Sequence, residues 1–118
     1  MDELVDLQPR IVEKMIEDNI VMIDVRRPDE WHRTGFVKNS YLMTFFDEYG
    51  GHDVKNWMKE FEKIVKSKDQ TFVLICAHAN RTRTIGNFLI EQGYKNTAHL
   101  FGGMALWQQE LRETIPYN

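Results

Sequence analysis

Two short segments of the chain are apolar at almost every position, and they constrain its fold more than any other feature. They are IVMIDV, which begins at residue 20, and TFVLIC, which begins at residue 71. A strand with one face in water alternates polar and apolar residues, whereas a strand covered on both faces is apolar throughout. We therefore predict an α/β fold with a central, mainly parallel β-sheet flanked by helices on both faces.

Segments with the periodicity of helices alternate with these strands. Apolar residues recur at helical spacing between Pro9 and Asn19, and a second apolar stripe follows Asp53, which is expected to cap its helix. A third helix is predicted to follow Cys76 and to end at Gly93, and a fourth lies in GGMALWQQELRE. Shorter strands are expected at SYLMTF and TAHLF, with turns or loops at RPDEWHRTG and DEYGGHD.

The composition is typical of one ordinary globular domain. The chain has 118 residues, of which 42% are hydrophobic and 28% charged, and no repeat or flexible linker divides residues 1–118. The net charge of -3 argues against nucleic-acid binding. No apolar run approaches the roughly twenty residues that cross a bilayer, and the first residues lack a signal-peptide pattern. We expect no membrane association and a cytoplasmic location, or a periplasmic one if a signal peptide has been removed.

Cys76 is the only cysteine, and it stands where the apolar strand TFVLI gives way to the polar segment AHANRTR. A single cysteine excludes a disulfide within the chain and cannot build a zinc site by itself. The four histidines show no ligand spacing with carboxylates or the cysteine, so we expect neither a metal nor an organic cofactor. Cys76 is either a buried strand residue or a nucleophile. The polar, basic continuation favours the nucleophile, because a core cysteine needs no such sequel.

The turn from strand to helix after Cys76 creates a site for an anion. Backbone N–H groups at the start of a helix lack partners and converge on one small volume. These amides, the helix dipole and the guanidinium groups of Arg81 and Arg83 all stabilise a thiolate over a thiol. The segment from Cys76 to Arg83 contains no acidic residue that would oppose this effect.

Three motifs of the chain resemble those of the rhodanese-like sulfurtransferases and occur in the same order. In CAHANRT, Arg81 follows Cys76 after four residues, as in the active-site loop of that family. IDVRRPDEWHRTG resembles the family's Asp-Val-Arg segment followed by Glu, an aromatic residue and Gly, and GGMALW resembles its late Gly-Gly-x-x-x-Trp signature. The resemblance implies a rhodanese-like fold and sulfurtransferase activity. The matching residues of the last two motifs are Asp24, Val25, Arg26, Glu30, Trp31, Gly35, Gly102, Gly103 and Trp107.

The resemblance also implies a role for the residues of the loop. Cys76 would be the nucleophile that takes a sulfane sulfur from a donor and carries it as a persulfide to a thiophilic acceptor. The amides of residues 77 to 81 would hold the terminal sulfur as an anion, and Arg81 would close the loop by hydrogen bonding to backbone or to a carboxylate. The substrate-binding loop then consists of Ala77, His78, Ala79, Asn80, Arg81 and Thr82, with Asp24, Arg26 and Arg83 as candidate supporting residues.

Two residues of the loop bear on the choice of donor among thiosulfate, polysulfide and a protein persulfide. Ala77 stands where many members have a basic residue, and this weakens the attraction for the doubly charged thiosulfate. Ala79 stands where they have glycine, and its methyl group restricts the backbone. His78 either hydrogen bonds at the pocket mouth or has no role. The acceptor is expected to be a thiol, for example on a thioredoxin-like or sulfur-relay protein.

Two other functions stay open at this point. One is a catalytically impaired rhodanese-like module that binds or regulates a partner, and the other is an arsenate- or phosphate-handling enzyme that uses the same thiolate. Related phosphatases have one more residue between Cys and Arg, and here Thr82 occupies the position of their arginine, which favours sulfur transfer. Asp24 and Glu30 could act near the loop, but structural ion pairs are the interpretation we favour for both.

Overall fold

A parallel sheet of five strands lies at the centre of the computed structural model, which describes residues 2–118. Its order is β1-β5-β4-β2-β3, so the two apolar strands β2 and β4 are neighbours in the middle of the sheet. All pairings are parallel, as the apolar runs predict. The strands are β1 (Val5–Leu7), β2 (Val21–Asp24), β3 (Tyr41–Leu42), β4 (Phe72–Ile75) and β5 (Thr97–Leu100).

Helices cover both faces of this sheet, which confirms the predicted α/β architecture. On one face α3 and α4 pack over Phe72 and Leu74 of β4, and on the other α1 and α5 pack over Val73 and Ile75. Asp53 caps α3 by accepting a hydrogen bond from the Asn56 amide, as expected. The helices are α1 (Pro9–Glu17), α2 (Pro28–Thr34), α3 (Val54–Ile64), α4 (Asn80–Glu91) and α5 (Gly103–Gln109).

The prediction of turn structure for RPDEWHRTG was wrong, because most of this segment forms α2. The helix has Pro28 at its first position, and the Glu30 carboxylate accepts a hydrogen bond of 3.2 Å from the Arg27 amide. With only seven residues, it is too short to show a clear apolar stripe. The sequence contains these helix-start signals, but the segment lacks the apolar periodicity by which a helix is recognised.

Strand β1 was not predicted at all, and the last helix is shorter than expected. The three residues of β1 include Asp6 at the centre of an edge strand, so they carry no apolar pattern. Helix α5 ends at Gln109 rather than near Glu113, because Leu111 adopts a left-handed backbone with φ of 58°. Within residues 2–118, none of the helices has the length and hydrophobicity that a membrane span requires.

The carboxyl ends of the central strands meet at one edge of the sheet. Asp24 at the end of β2 is the register partner of Ile75 at the end of β4, and Cys76 follows immediately. In a parallel sheet this edge is where ligands bind, because the loops leaving the strands converge there.

Candidate active site around Cys76

Cys76 lies at the base of the loop that joins β4 to α4. Residues along β4 alternate between the two faces of the sheet, so Cys76 follows Phe72 and Leu74 onto the face covered by α3 and α4. The residue is 1% exposed, so its side chain is buried beneath the loop.

The loop turns sharply at Ala79, which adopts a left-handed conformation with φ of 69° and ψ of 9°. This is the position where glycine was expected from the resemblance, and the alanine accepts the conformation at a cost of roughly 1 kcal/mol. The Ala79 carbonyl accepts from the Arg83 amide and starts α4. Within the described residues, the amides of positions 77 to 82 donate to no backbone carbonyl. They remain available to an anion next to the Cys76 sulfur.

Two amides at the start of α5 hold the lower half of this loop. The Met104 amide donates to the Cys76 carbonyl at 2.8 Å, and the Ala105 amide donates to the Ala77 carbonyl at 3.0 Å. Both carbonyls are thereby turned away from the anion site. Gly103 permits this approach, because a Cβ there would lie 2.6 Å from the Cys76 carbonyl oxygen and closer still to that of Ala77. Gly102 and Gly103 both have positive φ, as a tight turn beside the loop requires.

The Arg81 guanidinium is held by a carboxylate on α2. Its two terminal nitrogens each donate to one oxygen of Glu30 at 2.7 Å, in a paired geometry that fixes the plane of the guanidinium. Burial acts to raise the pKa of Glu30, but the hydrogen bonds from Arg81 and from the Arg27 amide outweigh it and bring the pKa to about 2. The hydrogen bonds to Glu30 also raise the pKa of Arg81. The pair is charged at every physiological pH, and Arg81 does not exchange protons.

The candidate supporting residues occupy different places. Asp24 and Arg26 form a fully buried ion pair of 2.8 Å, and Arg26 also donates to the Thr34 hydroxyl and the Gly35 carbonyl. The pair therefore ties the end of β2 to α2, and Asp24 is bonded to Arg26 rather than to Arg81 or Arg83. Arg83 lies on α4 with its side chain 58% exposed.

A second set of polar contacts reaches Cys76 from the opposite side, and sequence reasoning missed it. The Thr82 hydroxyl lies 3.5 Å from the Cys76 sulfur and 2.8 Å from Nδ1 of His99. Nε2 of His99 is hydrogen bonded to the Asp6 carboxylate. His99 is fully buried, and it was set aside in the sequence because it has no metal-ligand spacing. A polar residue inside the apolar strand TAHL was the available signal.

The remaining loop residues face outward. His78 and Asn80 are exposed, and Ala77 is half-buried. Among the residues that the structure describes, no group of three or more His, Cys, Asp and Glu side chains could hold a metal ion. The arrangement is therefore that of a buried cysteine sulfur at the base of a loop whose amides have no backbone acceptor.

Comparisons with known proteins agree with this geometry. The sequence profile of the rhodanese-like domain family matches residues 8–110. The chain is similar to thiosulfate sulfurtransferase GlpE of Pseudomonas syringae pv. syringae, with 22% identity over 108 residues, 92% of this chain and 91% of that protein.

Two solved structures share the fold over nearly the whole chain. The polysulfide-sulfur transferase homodimer of Wolinella succinogenes matches with a TM-score of 0.74 and 28% identity, covering 98% of this chain and 80% of that one. A rhodanese-related protein of Thermoplasma volcanium matches with a TM-score of 0.70 and 20% identity, covering 96% and 99%. The profile, the fold and the loop together lead to one conclusion: the chain belongs to the rhodanese-like domain family.

Proposed function

We propose that the protein transfers a sulfane sulfur from a donor to a thiol acceptor through a persulfide on Cys76. The observation that carries this proposal is the closed loop itself. A buried sulfur lies beneath the unpaired amides of residues 77 to 82, and the loop is closed by Arg81 five positions after the cysteine. We infer that these amides would donate hydrogen bonds to an anionic sulfur atom bound to the nucleophile.

The first half of the reaction loads the sulfur. The Cys76 thiolate attacks the sulfane sulfur of the donor, a new S–S bond forms on Cys76, and the donor's own bond to that sulfur breaks. The bonding electrons leave with the rest of the donor, as a thiolate or a shorter polysulfide. The terminal sulfur of the persulfide carries negative charge, which the loop amides stabilise by hydrogen bonding in the way an oxyanion hole stabilises oxygen.

The second half passes the sulfur on to a thiophile from outside the chain. Cys76 is the only cysteine, so no second thiol of this chain can resolve the persulfide. An acceptor thiolate attacks the terminal sulfur, the Cys76 S–S bond breaks, and the Cys76 thiolate is regenerated. We propose a thiol of a thioredoxin-like or sulfur-relay protein as this acceptor, and a cytoplasmic location for the exchange.

The charges around the loop disfavour a compact donor that carries two negative charges. Arg81 is the cation within the loop, and its charge is balanced by Glu30 at 2.7 Å. Ala77 contributes no charge, and Arg83 is paired with Asp6 at 3.7 Å and mostly exposed. A dianion such as thiosulfate meets little compensating charge here. We therefore propose a protein persulfide, which carries a single charge, or a polysulfide, whose charge is spread along a sulfur chain, as the donor; the likeness to the Wolinella polysulfide-sulfur transferase supports this proposal.

Intact-mass spectrometry tests both parts of the proposal. The reduced protein is exposed briefly to polysulfide, or in parallel to thiosulfate, and compared with Cys76→Ser. We expect the wild type to gain one sulfur atom from polysulfide, to gain less from thiosulfate, and to lose the sulfur to cyanide or a small thiol. Cys76→Ser should gain none.

Two other outcomes would contradict the proposal. No gain from any donor would favour the binding-module function, in which the loop only recognises a partner. Hydrolysis of a chromogenic phosphate ester that disappears in Cys76→Ser would favour the phosphate-handling function. Equal loading from thiosulfate and polysulfide would leave the carrier chemistry intact and overturn only the donor assignment.

A further inference from the structure

The contacts on the far side of Cys76 form a continuous chain of hydrogen bonds from the sulfur to the protein surface. It runs from Cys76 to the Thr82 hydroxyl, from there to the His99 ring, and from the ring to the Asp6 carboxylate. Thr82 and His99 are fully buried, whereas the Asp6 side chain is 48% exposed. We refer to Thr82, His99 and Asp6 as the relay.

The register of the sheet brings these groups together. His99 is the register partner of Asp6 on β1 and of Leu74 on β4, so all three side chains point to the same face of the sheet. Cys76 lies two residues beyond Leu74 and points to that face as well. Helix α4 covers this face and places the Thr82 hydroxyl between the Cys76 sulfur and the His99 ring.

When Cys76, Thr82 and His99 are uncharged and only the Asp6 carboxylate carries charge, these contacts fix which group donates each hydrogen bond. Asp6 can only accept, so Nε2 of His99 carries a proton and Nδ1 offers its lone pair. The Thr82 hydroxyl then donates to Nδ1, and its oxygen is left to accept from the Cys76 thiol. Burial lowers the pKa of His99 even though Asp6 acts to raise it, which keeps the resting ring neutral.

We propose that His99 and Asp6 act on Cys76 through the Thr82 hydroxyl, as a relay that takes up the thiol proton when the thiolate forms and returns it when the thiolate is consumed. The proton of the sulfur passes to the Thr82 oxygen while the hydroxyl proton passes to Nδ1 of His99. Every hydrogen bond of the chain except the one to Asp6 reverses direction, and the products are a thiolate and an imidazolium. No other atom moves and no redox change occurs.

The charges that face His99 from the packed elements support this exchange. From β1 the Asp6 carboxylate stabilises the imidazolium, and from the loop the Cys76 thiolate does so through Thr82. From α4 Arg83 opposes it, although its side chain is more than half exposed and paired with Asp6. His99 and Asp6 touch no substrate, so they are positioning residues that act on the nucleophile through another side chain.

This inference rests on the proposed function and deepens it, because it explains how the nucleophile of that reaction is prepared. It is tested without any sulfur donor, by the rate at which iodoacetamide alkylates Cys76 between about pH 4 and about pH 10. His99→Asn keeps an acceptor for the Thr82 hydroxyl but removes the titrating ring. We expect its alkylation profile to move to higher pH, so that at neutral pH it reacts about tenfold more slowly than the wild type.

Further variants separate the relay from a merely structural effect. Thr82→Val should give the same shift as His99→Asn, the double variant should add nothing further, and Thr82→Ser should restore the wild-type profile because it returns the hydroxyl. His32→Asn, the same change at an exposed ring on α2, is the matched control and should leave the profile unchanged. A His99→Asn profile that superposes on the wild type would overturn the proposal.

A measurement on the wild type covers the case in which a buried variant does not fold. The ring nitrogens of His99, followed by NMR from about pH 4 to about pH 10, should both keep their protons to a higher pH in the wild type than in Cys76→Ser, because the Cys76 thiolate stabilises the imidazolium through Thr82. A ring that stays neutral across this range would also overturn the relay. If instead the shift is present but no sulfur is loaded, the relay stands and the sulfurtransferase proposal fails.

Discussion

The Cys76 loop is held by polar contacts on two sides, and the two sides differ in kind. On one side Arg81 and Glu30 form a pair whose charges are fixed, since the pKa of Glu30 is about 2 and that of Arg81 is raised. On the other side, Thr82 and His99 are uncharged groups whose protons can move. The first contact crosses from α4 to α2, and the second crosses from α4 to β5.

This difference separates the shape of the loop from the charge of its nucleophile. A pair that never changes its ionisation keeps the loop in the same geometry at any physiological pH. A buried imidazole can instead take a proton when the sulfur gives one up. We therefore expect variants of the Arg81–Glu30 pair to affect folding most, whereas variants of the relay should affect the reactivity of Cys76 most.

The largest effect on stability and loading is expected for a substitution at Gly103, because both sides of the Cys76 loop depend on the loop backbone that Gly103 contacts. In Gly103→Ala the new methyl group would lie 2.6 Å from the Cys76 carbonyl oxygen, at a φ of 60°. We expect a loss of about 3 kcal/mol in the free energy of unfolding and loss of sulfur loading, because the loop must move away from α5. Urea denaturation and intact mass would measure the two effects.

Gly50→Ala is the matched control for this substitution. Gly50 also has a positive φ, of 82°, but a methyl group there would meet no neighbouring atom within 4 Å, so only the backbone strain is added. A Gly103→Ala protein with normal stability and loading would show that the contact between α5 and the loop does not support the site.

Glu30→Gln should have the next largest effect, and it tests the difference between the two sides of the loop directly because it removes the fixed charge that faces Arg81. It leaves the partly buried Arg81 without a counter-charge, and we expect the free energy of unfolding to fall by about 2 kcal/mol. The uncompensated guanidinium should also favour the thiolate, so the alkylation profile should move to lower pH. This direction is opposite to that expected for His99→Asn.

Glu60→Gln makes the same chemical change at an exposed pair with Lys63. It should change the free energy of unfolding by no more than about 0.5 kcal/mol and leave the alkylation profile in place. If Glu30→Gln and His99→Asn moved the profile in the same direction, the division between the two sides of the loop would be wrong.

The pH dependence of stability should resolve the two sides in one experiment. Burial lowers the pKa of His99 below its ordinary 6.5, so below that pH the unfolded chain binds a proton that the folded chain does not, and stability falls. Glu30 stabilises the folded chain above its ordinary pKa of 4.5, and this contribution of about 3 kcal/mol is lost as the pH falls towards 2.

Urea denaturation at a series of pH values would detect both stages. His99→Asn should remove the decline that begins near pH 6.5, and Glu30→Gln should remove the decline between about pH 4.5 and about pH 2. A wild-type protein whose stability stayed constant from neutral pH down to about pH 5 would contradict the neutral, buried state of His99.

The smallest effect is expected for Ala79→Gly. Glycine relieves the strain of the left-handed backbone but gains freedom in the unfolded chain, so the two terms nearly cancel and the free energy of unfolding should change by less than about 1 kcal/mol. Ala105→Gly, inside α5, has no strain to relieve and should be destabilising by about 1 kcal/mol. Equal losses in the two variants would mean that Ala79 is not strained.

The part of the site that the sequence predicted is the part encoded by local motifs. Cys76 and Arg81 are five residues apart, and Gly103 belongs to a compact signature, so each could be recognised within one short segment. The contact between Arg81 and Glu30 was anticipated from each residue separately: Arg81 was expected to bond to backbone or to a carboxylate, and Glu30 to form a structural ion pair. Which carboxylate it is depends on how α2 packs, and α2 was itself mistaken for a turn.

The relay could not be predicted because no local pattern encodes it. His99 and Asp6 meet through the pairing of β5 with β1, and β1 has three residues with a charge at its centre. Spacing rules search for residues that are near in sequence, whereas the side chains here are brought together by sheet register. A buried histidine in an apolar strand indicates only that a polar partner must exist somewhere.

The contact between Asp6 and His99 joins residues that are 93 positions apart, near the two ends of the chain. Strand β1 has only β5 as a neighbour, so it has no place to dock until residues 97–100 have been synthesised and have joined the sheet. During synthesis Cys76 emerges from the ribosome before its relay can form. Contacts between distant segments also carry the largest cost in chain entropy. If the proposed relay activates Cys76, its thiol stays less reactive until β5 has joined the sheet and β1 has paired with it.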